Sequence, residues 1–344
     1  MKVFAVAPSG PLEELAPLTE TGHDLLVGQP VDQPGRKPYT EAELIEASRD
    51  ADVILAHLEF ISRGVLESAP RLRLVVVPFI GTDRIDVSAA TELGILVANS
   101  PTPQNFIGVA EATIGLMLML LKRVKHNEAR LRRGEWGRRE DRGFLLRGSS
   151  VGLVGLGRVA AHVARRLGPW EVRLLGHDPY VSAEHARALD VTPVDLPTLL
   201  GESDIVSLHA VFTPENRRML GEKELRAMKP SAFFVNTARG ELVDEEALAR
   251  ALEERWIAGA ALDTFEQEPL PLSSPLRSVD PERLILTPHN VSHSEAGRQA
   301  NLRLALDTIL AACNGEAPEH AVNREAIPRW RSRLLALRTG GSAS

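Results

Sequence analysis

"VGLVGLGRVAAHVARRLG", residues 151–168, holds the turn on which the fold is read. The apolar run Val151–Val154 lacks polar alternation, as expected of a strand covered on both faces. Gly155 then permits a tight turn, Gly157 lets the backbone approach a ligand, and Ala160 lets the next helix pack close to the strand. Arg158 and Val159 open that helix, whose exposed N–H groups favour an anion. A second strand, "VRLLGHD", ends in Asp178. A carboxylate at that position accepts hydrogen bonds from ribose hydroxyls and repels a 2′-phosphate. The pattern predicts a dinucleotide site for NAD (NADH in the reducing direction) rather than NADP. Two readings compete with it: a glycine turn that binds nothing, with Asp178 a surface acid, and a methyltransferase-type nucleotide site.

Outward from this turn, strand and helix patterns alternate in both directions. Downstream come "DIVSLHA", "AFFVNTA", "AGAALDTF" and "RLILTPH"; upstream come "KVFAVA", "HDLLVG", "DVILAH", "LRLVVVP" and "GILVAN". Runs of βα units imply parallel sheets with right-handed crossovers. Pro101 and Pro103 separate the two sets, and a long helix pattern runs from about Asn105 to Arg133. A last helix, roughly Glu295 to Asn314, ends at Gly315 as a C-cap. The expected fold is α/β with two doubly wound parallel-sheet domains.

Bulk composition agrees. The chain has 344 residues, 44% hydrophobic, enough for more than one core. Its net charge of -6, with no large basic patch, argues against nucleic acid as a partner. The single cysteine, Cys313, excludes an intrachain disulfide and a cysteine zinc cluster, and suits a reducing, cytoplasmic setting. "MKVFAVAP" is too short an apolar run for a signal peptide. "IGVAEATIGLMLMLL" is shorter than a membrane span and carries Glu111, so it reads as a buried helix and no membrane partner is expected. "RWRSRLLALR", before "TGGSAS", reads as a fraying end.

Three strand ends carry ionisable residues. Arg239 follows "FFVNTA", Asp263 ends "AGAALD" with Glu268 in the loop beyond, and His289 ends "LILTPH". Ligands of open α/β sheets bind outside the carboxyl ends of strands, which puts all of them on the edge that carries the glycine turn. Such a set suits reduction of a 2-keto acid. A histidine donates the proton to the carbonyl oxygen, a carboxylate stabilises the imidazolium, and a guanidinium holds the substrate carboxylate bidentately. Each residue alone has a bland reading: a helix-terminal charge, a loop acid, a surface histidine. A two-histidine metal site at His289 and His293 is disfavoured because Pro288 opposes the helix it needs, and no metal is expected.

With these motifs in place, the sequence resembles the D-isomer-specific 2-hydroxyacid dehydrogenase family over nearly its whole length. "GLGRVA", "HDP", "SDIVSLH", "MKPSAFFVNTARGELVDEEAL", "GAALDTFEQEP", "LTPH", "IDVSAATELGILVANSP" and "NFIGVAEATIGLML" follow the family pattern in order. The resemblance implies a flavodoxin-like, discontinuous substrate domain, residues 1–101 plus 293–344, and a Rossmann NAD-binding domain, residues 102–292. It implies hinges near Ser100–Pro103 and Pro288–His293, and a homodimer formed through the NAD domain near "GEW" at Glu135–Trp136. Arg239, Glu268 and His289 fall on the family's catalytic positions, which makes His289 the acid–base group. Asp263 falls on the acid at the nicotinamide amide. Gly155, Gly157, Arg158, Val159, Asp178, His209 and Ala238 fall at cofactor positions; His57, Gly81, Asn105 and Arg239 fall where substrate is held.

Departures from the family pattern concern the walls of the site. Ser292 stands where glycine is usual, Val211 replaces a common proline, and Asn216 a common threonine. Ala56 and His57 match poorly the arginine and serine of relatives that take phosphorylated substrates, and Phe60 and Phe79 can shape a partly apolar pocket. The expected activity is interconversion of a small 2-keto acid and its D-2-hydroxy acid. Glyoxylate, hydroxypyruvate and phosphoglycerate-type substrates are the specific alternatives. Formate oxidation is weakened by Glu268, since formate dehydrogenases of this superfamily carry glutamine there. From a different class, an NAD-sensing corepressor-like binding protein remains the competing reading.

Overall fold

The computed structural model describes residues 1–339 and divides into two compact units. The first comprises Met1–Asn105 together with the chain from Ser294. Its strands are β1 (Lys2–Ala5), β2 (Asp24–Val27), β3 (Val53–Leu55), β4 (Leu74–Val76) and β5 (Leu96–Ala98). Helices α1 (Ala16–Glu20), α2 (Glu41–Ser48), α3 (Arg63–Ser68) and α4 (Val87–Glu92) connect them. All pairings are parallel, in the order β2-β1-β3-β4-β5, the flavodoxin-like arrangement. Successive side chains alternate between faces. Val3, Val53, Leu74 and Leu96 enter one core, and Phe4, Ile54, Val75 and Val97 the other.

The first of those cores is closed by the C-terminal helices. The long α12, Glu295–Cys313, is capped by the Ser294 hydroxyl, which accepts from the Gly297 N–H, and it ends before Gly315, at φ 89°. It contributes Leu302, Leu306 and Ile309. The chain around "RWRSRLLALR" is not a fraying end: it forms α13, Ile327–Thr339. Trp330 and Leu334 lie one helical turn apart, and both are buried in the same core. Arg333 is not a solvated charge but donates to the carbonyls of Leu72 at 2.7 Å, Pro70 at 2.9 Å and Leu93 at 3.2 Å. Asn323 adds a further tie, accepting from the Val97 N–H at 2.8 Å and donating to the Ile95 carbonyl at 3.0 Å.

The second unit, Phe106–His293, holds β6 (Ser150–Val154), β7 (Arg173–His177), β8 (Thr192–Pro193), β9 (Ile205–Leu208), β10 (Phe233–Asn236), β11 (Gly259–Leu262) and β12 (Leu284–Leu286). Their order is β12-β11-β10-β9-β6-β7-β8, all parallel. The strand order reverses between β6 and β9, the doubly wound dinucleotide-fold arrangement with one strand added. Strand β8 is a two-residue edge element with no periodicity of its own to betray it.

The long helix predicted from Asn105 to Arg133 is instead two helices. Helix α5 runs Pro103–Leu121 and α6 runs Val124–Arg132, with Arg123 left-handed at φ 51° between them. The break has a physical partner, because the Leu121 carbonyl accepts from the Phe144 N–H at 2.8 Å. Helix α5 is long and apolar enough to cross a membrane by composition, yet Phe106, Ala110, Ile114, Met117, Leu120 and Leu121 are buried. Helices α7 (Arg158–Leu167), α8 (Ala183–Ala188), α9 (Leu196–Glu202), α10 (Glu222–Ala227) and α11 (Glu245–Glu253) complete the unit.

Candidate active site

Register alone builds the edge of the seven-stranded sheet. Val154 is level with His177 and Leu208, Leu208 with Asn236, Asn236 with Leu262, and Leu262 with Leu286. The residues that follow, Gly155, Asp178, His209, Thr237, Asp263 and Thr287, therefore leave the sheet as one row. At the reversal point the glycine turn meets the loop after β9 backbone to backbone. Gly155 sits at φ 91°, and a Cβ there would lie 2.6 Å from the Ala210 nitrogen. No side chain fits that gap, and left-handed φ favours glycine in any case.

Asp178 is fixed on this turn rather than merely near it. Its Oδ2 accepts from the Leu156 N–H at 2.8 Å and its Oδ1 from the Tyr180 N–H at 2.9 Å. Gly157 is exposed, and nothing lies within 4 Å of where its Cβ would be. Val159 turns its side chain onto the core, leaving backbone at the helix start. Arg158 is exposed, its guanidinium 4.3 Å over the Phe106 ring. His209 is half-buried, with Nε2 2.9 Å from the Ser207 hydroxyl, and desolvation pushes its imidazole down to about 4. Open backbone at a helix start, an adjacent guanidinium and a held carboxylate fit a dinucleotide.

His289 and Glu268 come together across the same edge. Nδ1 of His289 lies 2.9 Å and 2.8 Å from the two carboxylate oxygens. The imidazole is exposed, 45% at the side chain, and its backbone is left-handed at φ 52°, a conformation non-glycine residues rarely adopt. Asp263, only 4% exposed, holds the loop beyond: its Oδ1 accepts from the Asn290 N–H at 3.1 Å and the Val291 N–H at 3.3 Å. Partial desolvation, then the neighbouring His289, lower the His293 imidazole below its ordinary value.

Arg239 is tied to Glu268 through backbone. Asn236 grips the turn that carries Arg239, accepting from the Ala238 N–H and donating to the Arg239 carbonyl, each at 2.9 Å. A Cβ on Gly240 would lie 1.9 Å from the Phe265 carbonyl carbon, so the Arg239 turn and the Glu268 loop are in backbone contact. Glu268 in turn accepts from the Phe265 N–H at 3.1 Å. From outside, Glu245 accepts from the Glu266 N–H at 2.7 Å, and Arg217 and Arg218 pair with Glu266. The residue motifs do not reveal Glu245 as a support of this loop; its only sequence signal is an acid in the first turn of α11. Among the described residues no group of three or more histidine, cysteine or acidic side chains could hold a metal ion.

His57, Gly81 and Asn105 belong to the other unit and are described within it. His57 meets the Phe79 ring edge-on, centroids 5.2 Å apart. The turn that carries Gly81 is held by Asn99, which donates to the Ile80 carbonyl at 2.8 Å, and by the Ser100 N–H on the Phe79 carbonyl at 2.8 Å. Asn105 lies in the first turn of α5, its N–H on the Thr102 carbonyl. Glu59 is buried and paired with Arg36, while Leu58 and Phe60 are exposed.

A doubly wound sheet with a held acid beyond the glycine turn and a histidine–glutamate pair on the same edge defines a class: nucleotide-dependent oxidoreductases of α/β fold. The profile of the D-isomer-specific 2-hydroxyacid dehydrogenase family, NAD-binding domain, matches residues 114–291. The glyoxylate reductase of Thermofilum pendens is 40% identical over 302 residues, covering 84% of this chain and 86% of that one. The D-3-phosphoglycerate dehydrogenase of Methanocaldococcus jannaschii is 39% identical over 292 residues, 84% of this chain but 55% of that relative's length. In structure, the TT0316 protein of Thermus thermophilus superposes with a TM-score of 0.83 at 32% identity, over 94% of this chain and 100% of that one. The chain belongs to the D-isomer-specific 2-hydroxyacid dehydrogenase family, and is an NAD-dependent enzyme of that reaction class.

Proposed function

We propose that this enzyme reduces a small 2-keto acid to its D-2-hydroxy acid, with Arg239, Glu268 and His289 as its catalytic residues. The observation that carries the reading is the Glu268 carboxylate within 2.9 Å of His289 Nδ1. Because Nδ1 faces the carboxylate, Nε2 is the nitrogen presented to substrate, and it is the atom that gives up the proton to the carbonyl oxygen. Glu268 orients the ring and stabilises its cationic form. Arg239 holds the substrate carboxylate by its planar fork. NADH, when bound, supplies the hydride; Gly155, Gly157, Arg158, Val159, Asp178, His209, Ala238 and Asp263 would hold it. His57 and Gly81, in the domain of residues 1–101 plus 293–344, and Asn105, early in residues 102–292, are the proposed substrate contacts, and the rest of residues 102–292 serve the cofactor.

Glyoxylate or hydroxypyruvate is the favoured substrate. Support comes from the glyoxylate reductases among the relatives and from the loop after β3, whose Glu59 pairs with Arg36 from the β2–α2 segment and whose exposed residues, Leu58 and Phe60, are apolar. Absorbance of NADH mixed with a keto-acid panel tests this. Turnover fastest on glyoxylate or hydroxypyruvate is expected, and no consumption with any keto acid removes the proposal. Asp178→Ala should reduce the preference for NADH over NADPH about ten-fold or more, the size of a lost charged hydrogen bond. Unchanged selectivity would remove Asp178 from the site. We also propose a cytoplasmic setting, in keeping with the single cysteine, and a homodimer, supported by exposed Leu131, Trp136, Phe144 and Leu145 on and after α6. Light scattering of Trp136→Arg, with a monomer expected, tests it.

A further inference from the structure

Arg158 stands where a cation is electrostatically out of place. It is the first residue of α7, where the helix dipole is positive, and the first turn of that helix contains no acid. Among the described residues no carboxylate pairs with it. What holds it is Phe106, one turn into α5, a residue 6% exposed whose ring centroid lies 4.3 Å from the guanidinium carbon. Nothing in the spacing of the sequence joins these residues.

We propose that Phe106 is a positioning residue for the cofactor: its ring holds the Arg158 guanidinium at the glycine turn, ready for the dinucleotide's diphosphate. The inference rests on the dinucleotide reading of this turn. A guanidinium stacked on a ring engages the aromatic face through its own π surface, so its in-plane N–H donors stay available to an anion. The side chain is thereby restrained before the ligand arrives, which lowers the entropy lost on binding. The backbone beside it is open at Gly157, so guanidinium and helix N–H groups can address one diphosphate together. Leucine at position 106 would occupy similar space but offer no ring quadrupole.

A double-mutant cycle tests the assignment by equilibrium binding, independent of turnover. Dissociation constants for NADH, ADP-ribose and adenosine are measured by calorimetry on the full chain carrying Phe106→Leu, Arg158→Met or both. Phe106→Leu should weaken NADH and ADP-ribose about two- to five-fold, the size of one exposed cation–ring contact. It should leave adenosine unchanged, and in the Arg158→Met background it should cost nothing further. Phe106→Trp should restore affinity, since indole is the better cation partner. Should Phe106→Leu fold poorly, Phe106→Met gives the same contrast with an unbranched, flexible side chain. Equal losses in both backgrounds, or an aromatic replacement no better than leucine, overturn the proposal and leave the dinucleotide site standing. A wild-type chain that binds neither NADH nor ADP-ribose removes both.

Discussion

The carboxyl edge of the seven-stranded sheet and the loop after β3 of the five-stranded sheet are held by different means. On the seven-stranded sheet, side chains at strand ends hold the backbone of neighbouring loops. Asp178 takes the Leu156 N–H, Asn236 the Ala238 N–H, and Asp263 the N–H groups of Asn290 and Val291. On the five-stranded sheet that device recurs after β5, where Asn99 holds the Ile80 carbonyl, but the loop after β3 is joined side chain to side chain: His57 lies on Phe79 and Glu59 pairs with Arg36. A loop held by its backbone keeps its path when the side chains on it change. A loop held by side chains is altered by every substitution. On the proposed function, the first suits fixed chemistry and the loop after β3 suits adjustable choice of substrate.

The largest expected effect lies on the fixed edge. His289→Ala should cut kcat by about 10²–10⁴, the reach of general acid–base catalysis, with NADH affinity retained. Loss of both in equal measure would mean that the histidine holds the fold of the edge instead. Next comes Asp263→Ala, which strips the acceptor from the loop beyond His289. A fall in kcat of about a hundred-fold is expected from misplacement alone, with partial recovery in Asp263→Asn, which keeps an oxygen acceptor. Wild-type kinetics in Asp263→Ala would break the claim that backbone capture sets this edge.

Third is the acid response of the fixed edge. His209 is lowered from 6.5 in the unfolded chain to about 4 by desolvation. Between those values the unfolded chain binds more protons, so this contribution is full above pH 6.5 and is lost as pH falls towards 4. The loss amounts to no more than about 3.5 kcal/mol. Denaturant melts of His209→Asn against wild type should therefore diverge through that window, the variant showing the flatter dependence. Parallel curves would show that His209 is neutralised at no cost to folding. The smallest effect belongs to the other sheet. Phe60→Ala should change relative turnover across keto acids of different C3 size about ten-fold or less, with NADH affinity untouched. A change in NADH affinity instead would erase the division of labour between the edges.

What the sequence disclosed follows the same division. The glycine turn and Asp178 read from sequence because each directly follows an apolar strand and parallel register aligns them; Arg239 and His289 lie three residues beyond theirs, and Glu268, in the loop beyond Asp263, is picked out by the family pattern. The break between α5 and α6 was not, because it depends on a carbonyl at Leu121 captured by Phe144, far along the chain. The C-terminal helix reads as a fraying end because it runs into "TGGSAS", whereas its Arg333 binds main-chain carbonyls far back in the chain. Pairs such as Arg36 with Glu59 and Phe106 with Arg158 leave no local pattern at all. The Gly240 contact with Phe265 is similar: a glycine in "ARGE" announces a turn but not which backbone it meets.

Trp330, Leu334 and the apolar face of α12 have a consequence for biosynthesis. The five strands they cover are finished by Ala98, but the covering helices begin only at Glu295. A growing polypeptide thus leaves the ribosome with one face of its earliest strands only partly covered, by Leu15 and Leu18, while residues 106–293 emerge with every element of their own sheet at hand. The first segment translated is the last to be shielded from water, and chaperone capture of chains stalled before residue 295 is the expected trace.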